Sequence, residues 1–410
     1  MKQNIPLLCV DRDALISHCS GKDVILFGSG LFIRPAIHSL KQAGIEPVRI
    51  YDNSPGKHGT EIYGIKVVKP EKRRENAPAP TIIITAAPCH IDSIRSQLME
   101  MGYSDIFDCA PLLASFEYCQ DTFEYGASKL NNDLDRYAYE YLLKFYPGKV
   151  IIPSLDVVVT EKCSLRCRDC ANLMQYYTSP KDIDHKLLFE AIDILMQCVD
   201  HVLEFRILGG EAFMNRNMWR IVNGLRKYGN YTRIAVYSNG TIIPTGENLN
   251  CLIHDDTFMR ISDYGVLSRK IPQMIPLLNE HGVIYSVLKC DKWQDCAEIR
   301  NRNRPPGELE ATFTCCCAKT TFTLLRDKVY ACPFAANADN LHAIPSFPNE
   351  MLVINERIGK NEIREQLINM LRTRKYFSAC NYCAGRNEEL TPLDAAVQAA
   401  DPLAYNNVLG

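Results

Sequence analysis

Thr160-Glu161-Lys162-Cys163-Ser164-Leu165-Arg166-Cys167-Arg168-Asp169-Cys170 sets three cysteines in one loop, directly after an apolar strand expected over residues 154–160. The spacing is C-x3-C-x2-C. Thiolates are the ligands of iron–sulfur clusters, and a cubane usually takes four of them. Three from one loop leave one iron without a protein ligand. An open coordination position is what a catalytic metal site needs, as opposed to a closed structural one. The loop therefore points to a 4Fe–4S cluster held by Cys163, Cys167 and Cys170 at the end of a strand.

Working outward from this loop, apolar runs alternate with amphipathic stretches. Strands are expected at 154–160, 202–208, 232–238, 257–262 and 283–288. Helices near 185–198, 217–227, 246–253 and 269–280 separate them. Strands alternating with helices imply a parallel sheet, and in barrels of this kind the site lies at the C-terminal strand ends. The first 115 residues repeat the alternation on a smaller scale. Asp23–Phe27, Pro47–Tyr51, Thr81–Thr85 and Asp105–Phe107 read as strands. A helix over 128–146 connects the two series.

Composition excludes several classes. The chain has 410 residues, enough for two or three domains, with 47% hydrophobic and 23% charged residues and a net charge of −2. No basic stripe forecasts nucleic-acid binding. No run approaches a membrane span, and the N-terminus does not read as a signal peptide, so a cytoplasmic protein is expected. In a reducing compartment the 18 cysteines point to metal or redox chemistry where they cluster. Cys9, Cys19, Cys89, Cys109, Cys119, Cys198, Cys251, Cys290 and Cys296 are scattered and read as small buried hydrophobes.

The C-x3-C-x2-C loop after the first strand of the second series resembles the signature of the radical S-adenosylmethionine superfamily. The resemblance spans roughly residues 150–290 and rests on motifs at successive strand ends. Arg206-Ile207-Leu208-Gly209-Gly210-Glu211-Ala212 is similar to the family's glycine-glycine-glutamate turn. It implies that Gly209, Gly210 and Glu211 meet the amino group of the methionine moiety. Ser238-Asn239-Gly240 resembles the position that contacts the ribose hydroxyls, and Ser262 and Asp263 end the fourth strand. Asp169 stands where many members carry an aromatic residue. The resemblance implies a shortened barrel, S-adenosyl-L-methionine chelated on the open iron, and reductive cleavage to a 5′-deoxyadenosyl radical. A flavodoxin- or ferredoxin-type reductant follows as partner.

Further on stand Cys315-Cys316-Cys317, a hairpin over Thr321–Arg326 and Val329–Ala331 with Asp327-Lys328 at its turn, then Cys332 and Cys380-Asn381-Tyr382-Cys383. One cysteine before a hairpin, one after it and a C-x2-C make a four-thiolate cage. This is similar to the twitch subdomain, the short relative of the SPASM extension, and implies an auxiliary 4Fe–4S cluster on Cys316, Cys332, Cys380 and Cys383. Cys315 and Cys317 compete with Cys316 for the first place. The same four thiolates also suit a zinc ion.

At the other end, Gly28-Ser29-Gly30 with Asp52 about twenty residues on resembles a dinucleotide fingerprint without its third glycine. The stretch 22–110 resembles small Rossmann-like domains attached to sugar- and polysaccharide-modifying enzymes. A nucleotide site, with Asp52 on a ribose hydroxyl, and a docking module are both open.

The expected organisation is a Rossmann-like α/β domain (1–115), a linker helix (116–149), a radical SAM partial barrel (150–311), an auxiliary-cluster subdomain (312–390) and a C-terminal tail (391–410). The expected activity is hydrogen abstraction from a small polar substrate such as a sugar, polyol or nucleotide-sugar, as an oxidation. Aminocyclitol dehydrogenases are among the twitch-bearing relatives. A peptide-modifying maturase and a non-catalytic iron–sulfur sensor or scaffold are the alternatives. No catalytic side chain is assigned.

Overall fold

The computed structural model describes residues 12–74, 78–114, 127–386 and 392–405. The chain is mixed α/β with parallel sheets and divides into two units, Met1–Lys149 and Val150–Gly410.

In the first unit β1 (Val24–Phe27), β2 (Arg49–Tyr51), β3 (Glu61–Ile62), β4 (Ile65–Val68), β5 (Thr81–Ile84) and β6 (Ile106–Asp108) form one sheet in the order β3-β4-β2-β1-β5-β6. All pairings are parallel except β3 with β4. The runs Val24–Phe27 and Thr81–Ile84 are buried throughout, as strands covered on both faces must be. Helix Ala127–Phe145, expected as a linker, belongs to this unit. Its Tyr137 is wholly buried against Phe32, with ring centroids 4.7 Å apart. The expected linker residues 116–126 lie outside the described residues.

The second unit is built on β7 (Ile151–Thr160), β8 (His201–Gly209), β9 (Tyr231–Ser238), β10 (Thr257–Asp263) and β11 (Tyr285–Lys289). Shorter strands follow: β12 (Lys292–Trp293), β13 (Thr321–Leu325), β14 (Lys328–Tyr330), β15 (Leu352–Val353) and β16 (Leu393–Asp394). The large sheet runs β11-β10-β9-β8-β7-β13-β14-β15. β13 pairs parallel with β7, so a strand of the cysteine-rich part joins the sheet beside the first strand of the series. The hairpin turn is Arg326-Asp327, one residue earlier than expected, and Arg326 takes the positive φ of 61°.

One face of the sheet packs on helices such as His185–Met196, Met218–Leu225 and Ile271–Glu280 through a continuous apolar core. Alternate residues on the other face are charged. Arg233 Nε lies 2.7 Å from Glu204 Oε2, and Arg260 Nη2 lies 3.3 Å from the same oxygen. Burial alone would push the Glu204 carboxyl up. The guanidinium groups of Arg233, Arg260 and Arg206 outweigh it and hold it low. A compensated network of this kind is costly to break from one side, because the remaining charge stays buried.

The scattered cysteines divide. Cys19, Cys109, Cys198, Cys251 and Cys296 are buried, whereas Cys89 is exposed and Cys290 half-buried. The last two sit in the short helical turn Pro88–His90 and just past β11. Cys9 and Cys119 lie outside the described residues. Among the described residues no helix is long and apolar enough to cross a membrane.

Candidate functional site

The C-terminal ends of β7, β8, β9 and β10 open on one cavity of about 520 Å³. Cys163, Cys167 and Cys170 line it, as do Gly209, Gly210, Ser238, Asn239 and Ser262. The expected ligands of the first cluster and most of the expected cofactor contacts thus share one space, of a size that suits a small cofactor and substrate.

The cysteine loop is held against the glycine turn by backbone bonds. Gly210 N donates to Thr160 O at 3.1 Å, and Glu211 N donates to Lys162 O at 2.9 Å. The fit leaves no room for side chains. A Cβ on Gly209 would collide with the Thr160 carbonyl oxygen, and one on Gly210 would come within 2.6 Å of Cys163 Cβ. The glycines are needed for close approach of two backbones, a protein contact distinct from the ligand contact expected of this turn.

Glu211 is engaged by the protein itself. It is fully buried, and its carboxylate accepts from Asn239 N at 2.7 Å, Ser238 Oγ at 3.2 Å and Phe213 N at 3.3 Å. Burial pushes its pKa up to about 7 against the pull of those bonds. It ties the ends of β8 and β9 together behind the cavity wall. Asn239 is likewise engaged. Its Nδ2 donates to Ser164 Oγ at 3.1 Å and to Cys163 Sγ at 3.6 Å, while its Oδ1 accepts from Thr241 N at 3.1 Å. Ser262 lines the cavity, whereas Asp263 accepts from Gly265 N at 2.9 Å and closes its own turn.

Burial keeps the free thiols protonated. It pushes Cys163 up strongly, Cys167 up to about 11 and Cys170 in the same direction. Cluster assembly on such thiols releases protons.

The second cysteine set is also brought together. Cys332, Cys380 and Cys383 each lie within electrostatic reach of Cys316. Cys315 is exposed and absent from this group, and Cys317 lines the main cavity instead. The C-x2-C loop is gripped by arginines. Arg304 Nη1 donates to Cys380 O at 2.6 Å and to Cys383 O at 2.8 Å, and Arg302 Nε donates to Cys383 O at 2.9 Å. The polar, Arg-rich stretch after β11 thus shapes a thiolate loop. Among the described residues, no three Cys, His, Asp or Glu side chains close around a point where a single ion would sit. Thiolates around a cubane stand farther apart, since each binds its own iron.

Several lining residues carried no sequence signal. Asp156, Arg206 and Tyr237 reach the cavity from strand interiors, with Arg206 Nε 3.1 Å from Asp156 Oδ1 and its guanidinium 4.8 Å from the Tyr237 ring centre. Burial raises the Asp156 pKa to about 6, with Arg206 and Arg386 opposing. Strand alternation puts 204, 206 and 208 on one face, which could have pointed to Arg206. Tyr264 and Trp293 meet edge to face at the wall, centroids 5.5 Å apart. Cys296, expected as a core hydrophobe, lines the cavity too, and the charge of Arg386 reaches both it and Cys316, Cys317 and Cys332.

In the first unit the expected nucleotide contact is already engaged. Asp52 Oδ2 accepts from Ser29 N at 2.8 Å and Ser29 Oγ at 2.5 Å, and Oδ1 accepts from Ser54 N at 2.8 Å. Asp52 braces the Gly28-Ser29-Gly30 turn.

No family model and no curated protein matches the chain. Solved structures do. A histidine-tagged anSMEcpe with bound AdoMet aligns at 15% identity over 34% of this chain and 43% of that one, with a TM-score of 0.29. The chain therefore spans less than half the length of that relative. BtrN in complex with AdoMet and 2-DOIA aligns at 15% identity over 57% of this chain and 92% of that one, with a TM-score of 0.37. Streptococcus suis SuiB bound to precursor peptide SuiA aligns at 16% identity over 49% and 46%, with a TM-score of 0.29.

Proposed function

We propose that the chain is a radical S-adenosylmethionine enzyme that abstracts hydrogen from a hydroxylated small molecule of the sugar, polyol or nucleotide-sugar class and oxidises it. The observation that carries this reading is the packing of a three-thiol loop directly against a glycine turn that admits no side chain, both lining one cavity. Cys163, Cys167 and Cys170 would hold a 4Fe–4S cluster whose open iron faces that space. The bound cluster and S-adenosylmethionine together would supply a 5′-deoxyadenosyl radical.

The residues of the chain do the rest. Gly209 and Gly210 let the end of β8 lie directly against the cysteine loop at the cavity edge where the methionine moiety would sit, while Glu211 fixes the strand ends that carry them. Tyr264 and Trp293 offer the aromatic surface that Asp169 lacks. Asp156, beside Arg206, is placed to take a hydroxyl proton as a carbinol becomes a carbonyl. Cys316, Cys332, Cys380 and Cys383 would hold an auxiliary cluster, whose chemistry would be that of a one-electron acceptor.

The test is anaerobic reconstitution. About eight irons per chain are expected if both thiolate sets hold cubanes. Changing Cys163, Cys167 and Cys170 to Ala should remove about half of that iron and end reductive cleavage of S-adenosylmethionine. Undiminished cleavage in the folded triple variant would refute the reading. Stoichiometric zinc with about four irons would instead assign the second set to a structural ion.

A further inference from the structure

Sequence alone leaves the segment after the C-x2-C loop as a tail. Its described part, residues 392–405, is instead bound along the cysteine loop. Arg168 N donates to Val397 O at 2.8 Å, and Ala399 N donates to Arg166 O at 2.8 Å. An isolated antiparallel bridge joins Cys167 to Gln398. β16 pairs with β12, which carries the cavity residue Trp293. Farther on, Leu403 N donates to Gln175 O at 2.8 Å, and the Tyr405 hydroxyl donates to Leu341 O at 2.7 Å.

Within this strap one side chain reaches a thiol. Gln398 Nε2 lies 3.2 Å from Cys167 Sγ and 2.7 Å from Ala396 O, while Oε1 accepts from Arg166 N at 2.8 Å. The backbone donor at Arg166 fixes which end of the amide is oxygen, so the NH2 group must face the sulfur. Cys167 itself is only 7% exposed under this cover.

We propose that residues 392–405 are part of the cofactor site and that Gln398 is a positioning residue for Cys167, shielding the sulfur and donating a hydrogen bond to it. The proposal rests on the reading of Cys167 as a ligand of the first cluster. A donor on a ligating thiolate stabilises the more negative, reduced cluster and so raises its reduction potential. Asn239 performs the same act on Cys163 from the barrel wall. Cluster reduction and the shape of the cavity mouth then depend on one strap that touches both Cys167 and β12.

Two measurements on the full chain test this. In the metal-free protein, alkylation of Cys167 by iodoacetamide, followed by peptide mass spectrometry, should be about 3- to 10-fold faster in Gln398→Leu, because the strap loses its anchor on Arg166 N and uncovers the sulfur more often. In the reconstituted protein, a redox titration read by electron paramagnetic resonance should give the first cluster a lower midpoint in both Gln398→Leu and Gln398→Glu. The Glu variant keeps the acceptor for Arg166 N and the shape but turns the donor into a negative charge, so its midpoint should fall further than that of the Leu variant if the side chain stays against the sulfur. A first cluster that never forms would overturn the functional reading, and the alkylation arm would still report on the strap. Folded variants with unchanged alkylation and an unchanged midpoint would overturn the strap proposal alone.

Discussion

At the scale of single residues, the site depends on atoms that are absent. Gly209 and Gly210 lie against Thr160 O, Lys162 O and Cys163 Cβ, so any side chain there must displace backbone and not merely a flexible neighbour. Gly30, the glycine of the weaker G-x-G motif, has open space where its Cβ would be and no positive φ. The two motifs look alike in sequence and differ in consequence. Gly209→Ala should cost about 1–3 kcal/mol by overpacking and lower the iron retained on reconstitution. Gly30→Ala should change stability by less than about 0.5 kcal/mol. Thermal unfolding and iron analysis of the two variants check this, and equal losses would show that the contact at Gly209 relaxes freely. Glu211 teaches the complementary lesson. A motif fixes which residue sits at a strand end, but whether its carboxylate faces ligand or backbone depends on neighbours such as Ser238 and Asn239.

At the scale of elements, β8 shows how burial sets pH behaviour. His201, at its start, is 2% exposed, and its Nε2 lies 2.9 Å from Thr232 Oγ1. Burial lowers its pKa to about 4. An unfolded histidine titrates near 6.5. Below that pH the unfolded chain takes up a proton that the folded chain refuses, so stability falls as pH drops from about 6.5 to about 4. The loss from this one group reaches roughly 3 kcal/mol across that window. His201→Gln should flatten that part of the profile, read by urea unfolding between pH 4.5 and 7.5. Parallel profiles for the two proteins would remove His201 as the cause. The long strands β7 to β11 were legible in sequence because β-branched, aromatic and other apolar residues recur along them and polar turns bound them. The helix starts and stops shifted by one to three residues, as at 247–250 against the expected 246–253. β12 and β16, two residues each, have no periodicity to detect, and their pairing joins positions a hundred residues apart. The strap over the cysteine loop was illegible for the same reason: its partners are backbone groups of Arg166 and Arg168, which leave no mark in a side-chain pattern.

At the scale of the whole second unit, one thiol set lines the main cavity and a second lies within electrostatic reach of Arg386 at its wall. Cys163, Cys167 and Cys170 line the cavity directly. Cys316, Cys332, Cys380 and Cys383 group near Arg386, which itself lines the cavity. Sequence spacing suggested both sets, but it could not choose among Cys315, Cys316 and Cys317. In the structure Cys315 is exposed, Cys317 lines the main cavity, and Cys316 is the one whose charge reaches Cys332, Cys380 and Cys383. Under the proposed function the sets divide the work. Hydrogen abstraction from a carbinol leaves a carbon radical. Loss of the hydroxyl proton to Asp156 makes that radical strongly reducing, and one electron must then leave for a carbonyl to form. A cluster with four protein thiolates has no vacant iron, so it suits electron acceptance better than substrate ligation. Arg386 places positive charge beside that acceptor, which favours its reduced form. Replacing Cys332 and Cys383 with Ala should therefore lower iron from about eight to about four per chain, spare 5′-deoxyadenosine formation and block the oxidised product. Deuterium placed at the attacked carbon of a polyol or nucleotide-sugar substrate should still appear in the deoxyadenosine made by this variant, because abstraction precedes electron transfer. Circular dichroism establishes that the variant is folded. Product at the normal rate from a folded variant without the second cluster would rule out the acceptor role, and an isomer with no net oxidation from the intact protein would replace oxidation with a redox-neutral outcome.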